Sequence, residues 1–374
     1  MSISFWEKKH WLAHQDVVII GSGLTGIQAA IHAKTLHPAW SVTVLERGML
    51  PSGASTKNAG FACYGSPTEI AEDLANIGPD RTFALIERRY RGFRLLREQL
   101  GEAALGYQPC GGFELFRSQD KALSASAEAI IETANAAFRD FAGIDRAFEI
   151  MTQDFGFGDI QSGIACTAEG QLDPGAMMRK LLAQAAKLGV ELRTGWQVNH
   201  YTATGKGVEL EVAGMGAITA SRLIIATNGF ARQLLPELAL RPVRNQVLIT
   251  APIPALSWKG VFHYDRGYVY FRNVGQRILI GGFRNLGGEA EETDQFGLTD
   301  SIQDRLESFL KEVILPDTPC EITDRWSGIL GVGESREPIL EEVAPNVVVA
   351  VRLGGMGVAL GTLLGREAAD LLIA

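Results

Sequence analysis

Cysteine is scarce in this chain: Cys63, Cys110, Cys166 and Cys320 lie far apart, and no two have CxxC spacing. That argues against a zinc site and against a disulfide framework, and a reducing, cytoplasmic setting is expected. No apolar run approaches the roughly 20 residues that span a bilayer, so no transmembrane segment is expected. The stretch from Met1 to Gln15 mixes Phe5, Trp6 and Trp11 with Glu7, Lys8, Lys9 and His10. It lacks the continuous apolar core of a signal peptide. Lys/Arg-rich runs are also missing, and the formal net charge is −8. A phosphate backbone would be repelled, which excludes nucleic acid as a partner. HExxH is absent, no GxSxG elbow occurs, and the six histidines show no ligand spacing, so no metal is expected.

What the chain has in excess is glycine, 42 of 374 residues, without a collagen-like period. Such a number points to many tight turns and close backbone approaches. The first of them is informative. Asp16 to Ile20 reads as a strand, Gly21, Gly23 and Gly26 follow as GxGxxG, Leu24 to His37 has helical character, and Ser41 to Glu46 is a second strand. Glu46 stands twenty residues after Gly26. This is the full context of a dinucleotide site: glycines for the turn, the pyrophosphate approach and helix packing, a helix N-terminus facing negative charge, and a carboxylate for the ribose hydroxyls. Nicotinamide and flavin dinucleotides share this fingerprint, and the unit alone leaves both open.

Helical patterns at Pro67–Asn76, Asp80–Leu100, Lys121–Phe141 and Asp173–Leu188 alternate with short strands. Those at Gln197–Thr202, Val208–Val212 and Leu223–Ala226 suggest a small sheet returning to the core. Those at Gln246–Ile249, Tyr268–Phe271 and Arg277–Ile280 suggest an antiparallel one. The expected fold class is α/β, a Rossmann-like FAD-binding domain interleaved with an α+β substrate domain built on an antiparallel sheet. Residues 1–80, 160–240 and 325–374 are assigned to the first domain, and 81–159 and 241–324 to the second.

Five segments beyond the first unit separate flavin from nicotinamide: GASTKNAG at 53–60, EGQLDPGAM at 169–177, LIIATNG at 223–229, PVRNQVL at 242–248 and RLGGMGVAL at 352–360. In this order, over essentially the whole chain, they resemble the D-amino-acid oxidase superfamily of flavoproteins. That group includes glycine and sarcosine oxidases, D-amino-acid dehydrogenases and gamma-glutamylputrescine oxidoreductases. The resemblance implies an FAD-dependent oxidoreductase that oxidises the C–N bond of a small amine or amino acid and passes electrons to oxygen, a quinone or another acceptor. It also implies residue roles. Gly21, Gly23, Leu24, Thr25, Gly26, Glu46 and Arg47 hold the adenosine diphosphate. Ser55, Lys57, Asn58, Ala59 and Gly60 pass under the flavin. Val198 holds the adenine through its backbone, and Thr227, Asn228 and Gly229 close over the adenosine side. Gly354, Gly355, Met356, Gly357 and Val358 enter a helix whose N-terminus faces the flavin N1 and C2 carbonyl edge. No cysteine lies at Gly328–Pro338, where covalent relatives carry one, so non-covalent FAD is expected. Oxygen-reactive relatives place a lysine in the strand matching Ile278–Gly281, and its absence points to slow reoxidation by oxygen.

On the substrate side, Tyr268 and Tyr270 in YDRGYVYFRN match a strand lining the family's pocket, and alternation places Arg272 on their face. His263 reads as a satisfied structural histidine and Arg244 as a structural ion-pair partner. Amino-acid oxidases of the family carry a substrate-clamping arginine where this chain has Leu330 and Gly331. Arg352, beside the glycines, is the expected substitute, with Arg336 on the surface. Two other readings stand beside this one: a non-catalytic or electron-transfer flavin-fold subunit of a larger complex, suggested by the missing clamp, and an NAD(P)-dependent dehydrogenase.

Overall fold

The computed structural model describes residues 3–373 except 255 and 317. Strand Gln15–Ile20 pairs in parallel with Val42–Glu46 on one side and Gly216–Ile225 on the other. Glu191–Thr194 and Val347–Val351 extend the parallel sheet at the two ends, and Ile339–Ala344 adds an antiparallel edge. Val42–Glu46 and Val347–Val351 are buried along their whole length. Uninterrupted apolar runs are what parallel strands covered on both faces require. Helices Leu24–Leu36 and Gly357–Ile373 pack on this sheet and on each other, while Val198–Thr204 and Gly207–Val212 form an antiparallel flap from Gly216–Ile225.

A second eight-stranded sheet runs Ile322–Val332, Arg241–Thr250, Arg277–Gly282, Val269–Val274, Val261–Tyr264, Gly112–Arg117, Ile160–Cys166, Phe148–Ile150. Its pairings are antiparallel except where Val261–Tyr264 meets Gly112–Arg117. One face is an aromatic core: the rings of Phe262 and Phe271 stack at 4.8 Å, with Trp258, Phe113 and Phe309 around them. Because side chains alternate along a strand, the neighbours of Phe271 face the other way. There Tyr270, Leu279 and Val247 pack on Ala59 from the glycine-rich segment. Two expected boundaries shift accordingly. Ile160–Cys166 and Ile322–Val332 hydrogen-bond into the second sheet, although residues 160–166 and 325–332 were assigned to the nucleotide domain. Long-range pairing, which local sequence does not encode, draws the border.

The strands expected at Gln197–Thr202 and Tyr268–Phe271 run Val198–Thr204 and Val269–Val274. Among the described residues no helix is long and apolar enough to cross a membrane, and no cluster of His, Cys, Asp and Glu could hold a metal ion.

Candidate active site

A cavity of about 510 Å³ lies between the two sheets, within the range of cofactor and ligand sites. The glycine turn forms one end. Gly21 has φ +102°, and a Cβ on Gly26 would lie 2.0 Å from the Gly21 carbonyl oxygen, so Gly26 sits against the turn and the helix is drawn onto the strand. Gly23, Leu24 and Thr25 line the cavity while Gly26 does not. The first amides of Leu24–Leu36 have no intrahelical acceptors, and no acidic residue occupies its first turn. Leu24 N–H donates to Ser55 Oγ at 2.8 Å, a hydroxyl that an anion can displace.

Glu46 is buried at the end of its strand, and its carboxylate accepts from Ser22 N–H and Oγ through one oxygen and from Gly48 N–H and Ser52 Oγ through the other. Four donors fill the four lone-pair positions, so a ribose hydroxyl reaches Glu46 by replacing a serine hydroxyl. Arg47 stacks on Phe230 at 3.7 Å, and Trp196, Val198, Thr227 and Asn228 complete this end. Thr227 Oγ1 is buried without a partner. Asn228 holds φ +45° while its Oδ1 accepts from Arg352 N–H. Gly229 is not in the lining: a Cβ there would meet the Leu330 carbonyl oxygen at 2.6 Å.

Ser55, Lys57, Asn58, Ala59 and Gly60 all line the middle of the cavity. Asn58 fixes their path by donating to the Ala54 and Ser55 carbonyls and accepting from Gly60 N–H. Trp326 Nε1 donates to the Lys57 carbonyl at 2.9 Å. Gly354, Gly355, Met356, Gly357 and Val358 form the opposite wall, where Gly354 and Gly355 have φ +57° and +90°. The helix Gly357–Ile373 begins there with no acid in its first turn. A site with an acid-free helix start at either wall, an orphaned threonine hydroxyl and a glycine-walled centre fits a dinucleotide carrying a planar ring.

Tyr268 and Tyr270 line the substrate end. Tyr270 meets Phe61 edge-on at 5.6 Å and accepts from Asn245 Nδ2 at 3.0 Å. Burial pushes its phenol pKa upward. Arg272 shares its side of the sheet but lies beneath the lining. It donates to the Leu172 carbonyl, and burial lowers its pKa to about 10. Arg244 pairs with buried Glu291, a structural role.

Three placements differ from expectation. Arg352 does not line the cavity: its backbone adopts φ +63°, and its guanidinium donates to the Glu337 and Ala239 carbonyls. The strained backbone turns the side chain away from the site. Arg336 does line it, held by Glu69, Glu72 and Asp73 rather than facing solvent. His263 is not a satisfied core histidine. Its Nε2 is buried with no hydrogen-bond partner, 3.9 Å from Glu169 Oε2, and its ring lies edge-on to Phe61 in the cavity wall. Burial pushes its pKa down to about 4.

Behind His263, burial raises Glu169 to about 8 and Glu114 to about 7. Glu169 ordinarily titrates at 4.5, so between about pH 4.5 and 8 the native state holds a proton that the unfolded chain has lost. Stability from this group therefore falls as pH rises through that window, by at most about 1.4 kcal/mol per pH unit. His263, neutral when folded, acts oppositely, but only between its folded value of about 4 and its ordinary 6.5. Of these three groups only the carboxyls act above pH 6.5, Glu114 up to about 7 and Glu169 up to about 8. Glu169→Gln keeps an acceptor for Tyr64 N–H, and the decline in melting temperature over pH 6.5–8 should flatten. An unchanged slope would show that Glu169 titrates normally.

Residues 16–371 match the DAO family, described as FAD dependent oxidoreductase. The chain is 27% identical over 377 residues to the probable oxidoreductase OrdL of Rhizobium meliloti (strain 1021), covering 96% of this chain and 83% of that one. It is 24% identical over 379 residues to the gamma-glutamylputrescine oxidoreductase of Escherichia coli (strain K12), with the same coverage. Glycine oxidase from Geobacillus kaustophilus superposes with a TM-score of 0.76 at 22% identity, over 96% of this chain and 95% of that one. L-proline dehydrogenase from P. horikoshii gives 0.75 at 15%, over 96% and 93%. The structural likenesses establish the fold, and the family match extends from the first strand to the last helix. With the dinucleotide motif, the glycine-walled centre and the two-sheet architecture all within the matched span, this chain belongs to the DAO family of FAD-dependent oxidoreductases.

Proposed function

We propose that the protein oxidises the C–N bond of a small amine or amino acid. The observation that carries this reading is the substrate end of the cavity. There an aromatic wall of Phe61, Tyr268 and Tyr270 stands beside Asn245, whose Oδ1 is buried without a partner. An amine N–H would satisfy it. An unpaired buried acceptor costs about 1–3 kcal/mol, so a nitrogen-bearing substrate gains affinity by supplying the missing donor.

Bound FAD supplies the hydride acceptor. The residues from Gly21 to Thr25, with Glu46 and Arg47, would hold its adenosine diphosphate; Asn58 to Gly60 and Gly354 to Val358 would flank the ring. Tyr270, fixed by Asn245 Nδ2, and Phe61 exclude water from the reacting carbon. His263, uncharged above about pH 4, puts no positive charge in the wall that would repel the amine.

The test is an anaerobic flavin-reduction screen across D-amino acids, N-methyl amino acids, glycine and polyamine derivatives. Bleaching is expected with at least one class. FAD-loaded protein that none of them bleaches would overturn the catalytic reading. The segment Ile278–Gly281 carries no lysine and packs Leu279 on Ala59 and Val247, and admitting air to the bleached sample should restore the yellow colour slowly.

Attachment is expected to be non-covalent. Cys63 is the cysteine in the lining, and burial holds its thiol pKa well above the ordinary value, with Met356 Sδ at 3.9 Å. A protonated thiol is a poor nucleophile. Acid precipitation should release the flavin into the supernatant, and a yellow pellet would show a covalent bond.

A further inference from the structure

The cavity presents several cations, and their partners sort them. Arg336 is surrounded by Glu69, Glu72 and Asp73, and Glu69 is shared with Arg89. Two arginines facing three carboxylates leave that wall negative, and a substrate carboxylate would be repelled there. Arg241 is paired with Glu292 at 2.5 Å. Arg47 lies on Phe230 beside Glu46 at the nucleotide end. Lys57 stands 5.1 Å over Phe296, and Arg266 is exposed.

Arg284 differs from the paired arginines in lacking a carboxylate partner among the described residues, and from Arg47 and Lys57 in standing beside the tyrosines of the substrate end. It lines the cavity, is half-buried, and has no carboxylate within ion-pair distance among the described residues; its guanidinium lies over the Tyr268 ring at 4.8 Å. Stacking uses the face of the guanidinium and leaves the N–H donors at its edge free. Those donors form the fork that matches a carboxylate through two parallel hydrogen bonds.

The backbone holds this arrangement. Phe283, with φ +59° and its ring buried, donates N–H to the Tyr268 carbonyl at 2.9 Å, and the Arg284 carbonyl accepts from Gly287 N–H. Strands Val269–Val274 and Arg277–Gly282 pair Tyr270 with Gly281, so Arg284 follows three residues after the partner of Tyr270. Its charge reaches the Tyr270 phenol. Tyr270 Oη accepts from Asn245 Nδ2, which leaves its own hydrogen free to donate. Asn245 Oδ1 remains an unpaired acceptor.

We propose that Arg284, stacked on Tyr268, binds a substrate carboxylate while Asn245 Oδ1 receives the amine, so that the substrate class is an amino acid rather than a simple amine. This rests on the C–N oxidation reading and adds the group that selects among amines. The site thus offers a free cation and a free acceptor to a molecule carrying an acid and an amine.

The experiment titrates FAD-loaded protein with propionate and with propionamide, reading the perturbation of the flavin spectrum. The native protein should bind propionate more tightly than propionamide. Arg284→Gln should weaken propionate by about thirtyfold or more and leave propionamide unchanged. Arg284→Lys, which keeps the charge but not the fork, should fall between, and it carries the test if the glutamine variant does not fold. Arg352→Gln, outside the cavity, should bind both probes as the native protein does. A native protein without carboxylate preference, or an Arg284→Gln variant that retains it, overturns the proposal. Arg284-dependent propionate binding without bleaching by any amine would overturn the C–N reading instead. Bleaching by simple amines with no effect of Arg284 would do the reverse.

Discussion

Gly23→Val should yield folded, colourless protein, whereas Gly26→Val should fail to accumulate as folded protein at all. Both glycines belong to the same motif, and the structure separates their roles. At Gly26 a Cβ would lie 2.0 Å from the Gly21 carbonyl oxygen and 3.2 Å from Ile19 Cγ2. Neither the turn nor the central strand can give way, since Ile19 is fully buried between its neighbours. Overpacking of a rigid core costs about 1–3 kcal/mol or more, and a backbone overlap of this depth belongs at the top of that range or beyond. At Gly23 the backbone is extended, with φ −65° and ψ 176°, which any residue adopts. A Cβ there meets only Ser55 Oγ at 3.0 Å, the end of a side chain that can rotate. The valine branches instead project into the cavity, where a pyrophosphate must approach the helix amides. Far-ultraviolet circular dichroism and flavin absorbance on the same sample separate the outcomes. A yellow Gly23→Val protein would remove the dinucleotide from this end of the cavity.

That contrast shows what the sequence could and could not reveal. GxGxxG followed by Glu46 was legible because a turn between a strand and a helix is encoded within about 30 residues, each glycine answering a local steric demand. The segment Ser55–Gly60 was legible for the same reason, its path being fixed by Asn58 within four residues. Arg352 was misplaced because proximity in sequence to Gly354–Gly357 says nothing about direction. A positive φ and two distant carbonyls, from Ala239 and Glu337, aim its guanidinium away.

For a related reason the sequence makes His263 look like a satisfied structural histidine and does not single out Arg284. Being without a partner is a property of everything that packs around a side chain, and no single segment records it. The only local cue for Arg284 was its place two residues after the strand ending Gly281–Gly282. The border between the sheets was hidden likewise, since Ile160–Cys166 joins Gly112–Arg117 across more than forty residues.

Arg89→Met should destabilise the protein by about 3 kcal/mol or more, the loss expected when one partner of a buried ion pair is removed. Arg89 is 1% exposed in the middle of helix Pro79–Leu100. Its Nη1 donates to the Tyr64 carbonyl at 2.8 Å and its Nη2 to Glu69 Oε1 at 3.2 Å. Methionine fills the volume but supplies neither donor. The Tyr64 carbonyl is left without that donor, and Glu69, whose pKa the two arginines hold below the ordinary value against burial, keeps only Arg336. Its carboxylate then becomes easier to protonate, so the penalty should shrink as pH falls. Adding Glu69→Gln removes the stranded charge, and the double variant should recover part of the loss, with a coupling of about 0.5–3 kcal/mol. Urea unfolding of the four proteins measures this directly. A single variant within about 1 kcal/mol of the native protein, or strictly additive effects, would show that the pair is not a stabilising unit. The consequence reaches the cavity, because Glu69, Glu72, Asp73 and Arg336 form its negative wall. Loosening Arg89 should therefore weaken FAD retention in proportion to the lost stability, whereas Arg284→Gln should leave retention intact and change only which ligands enter.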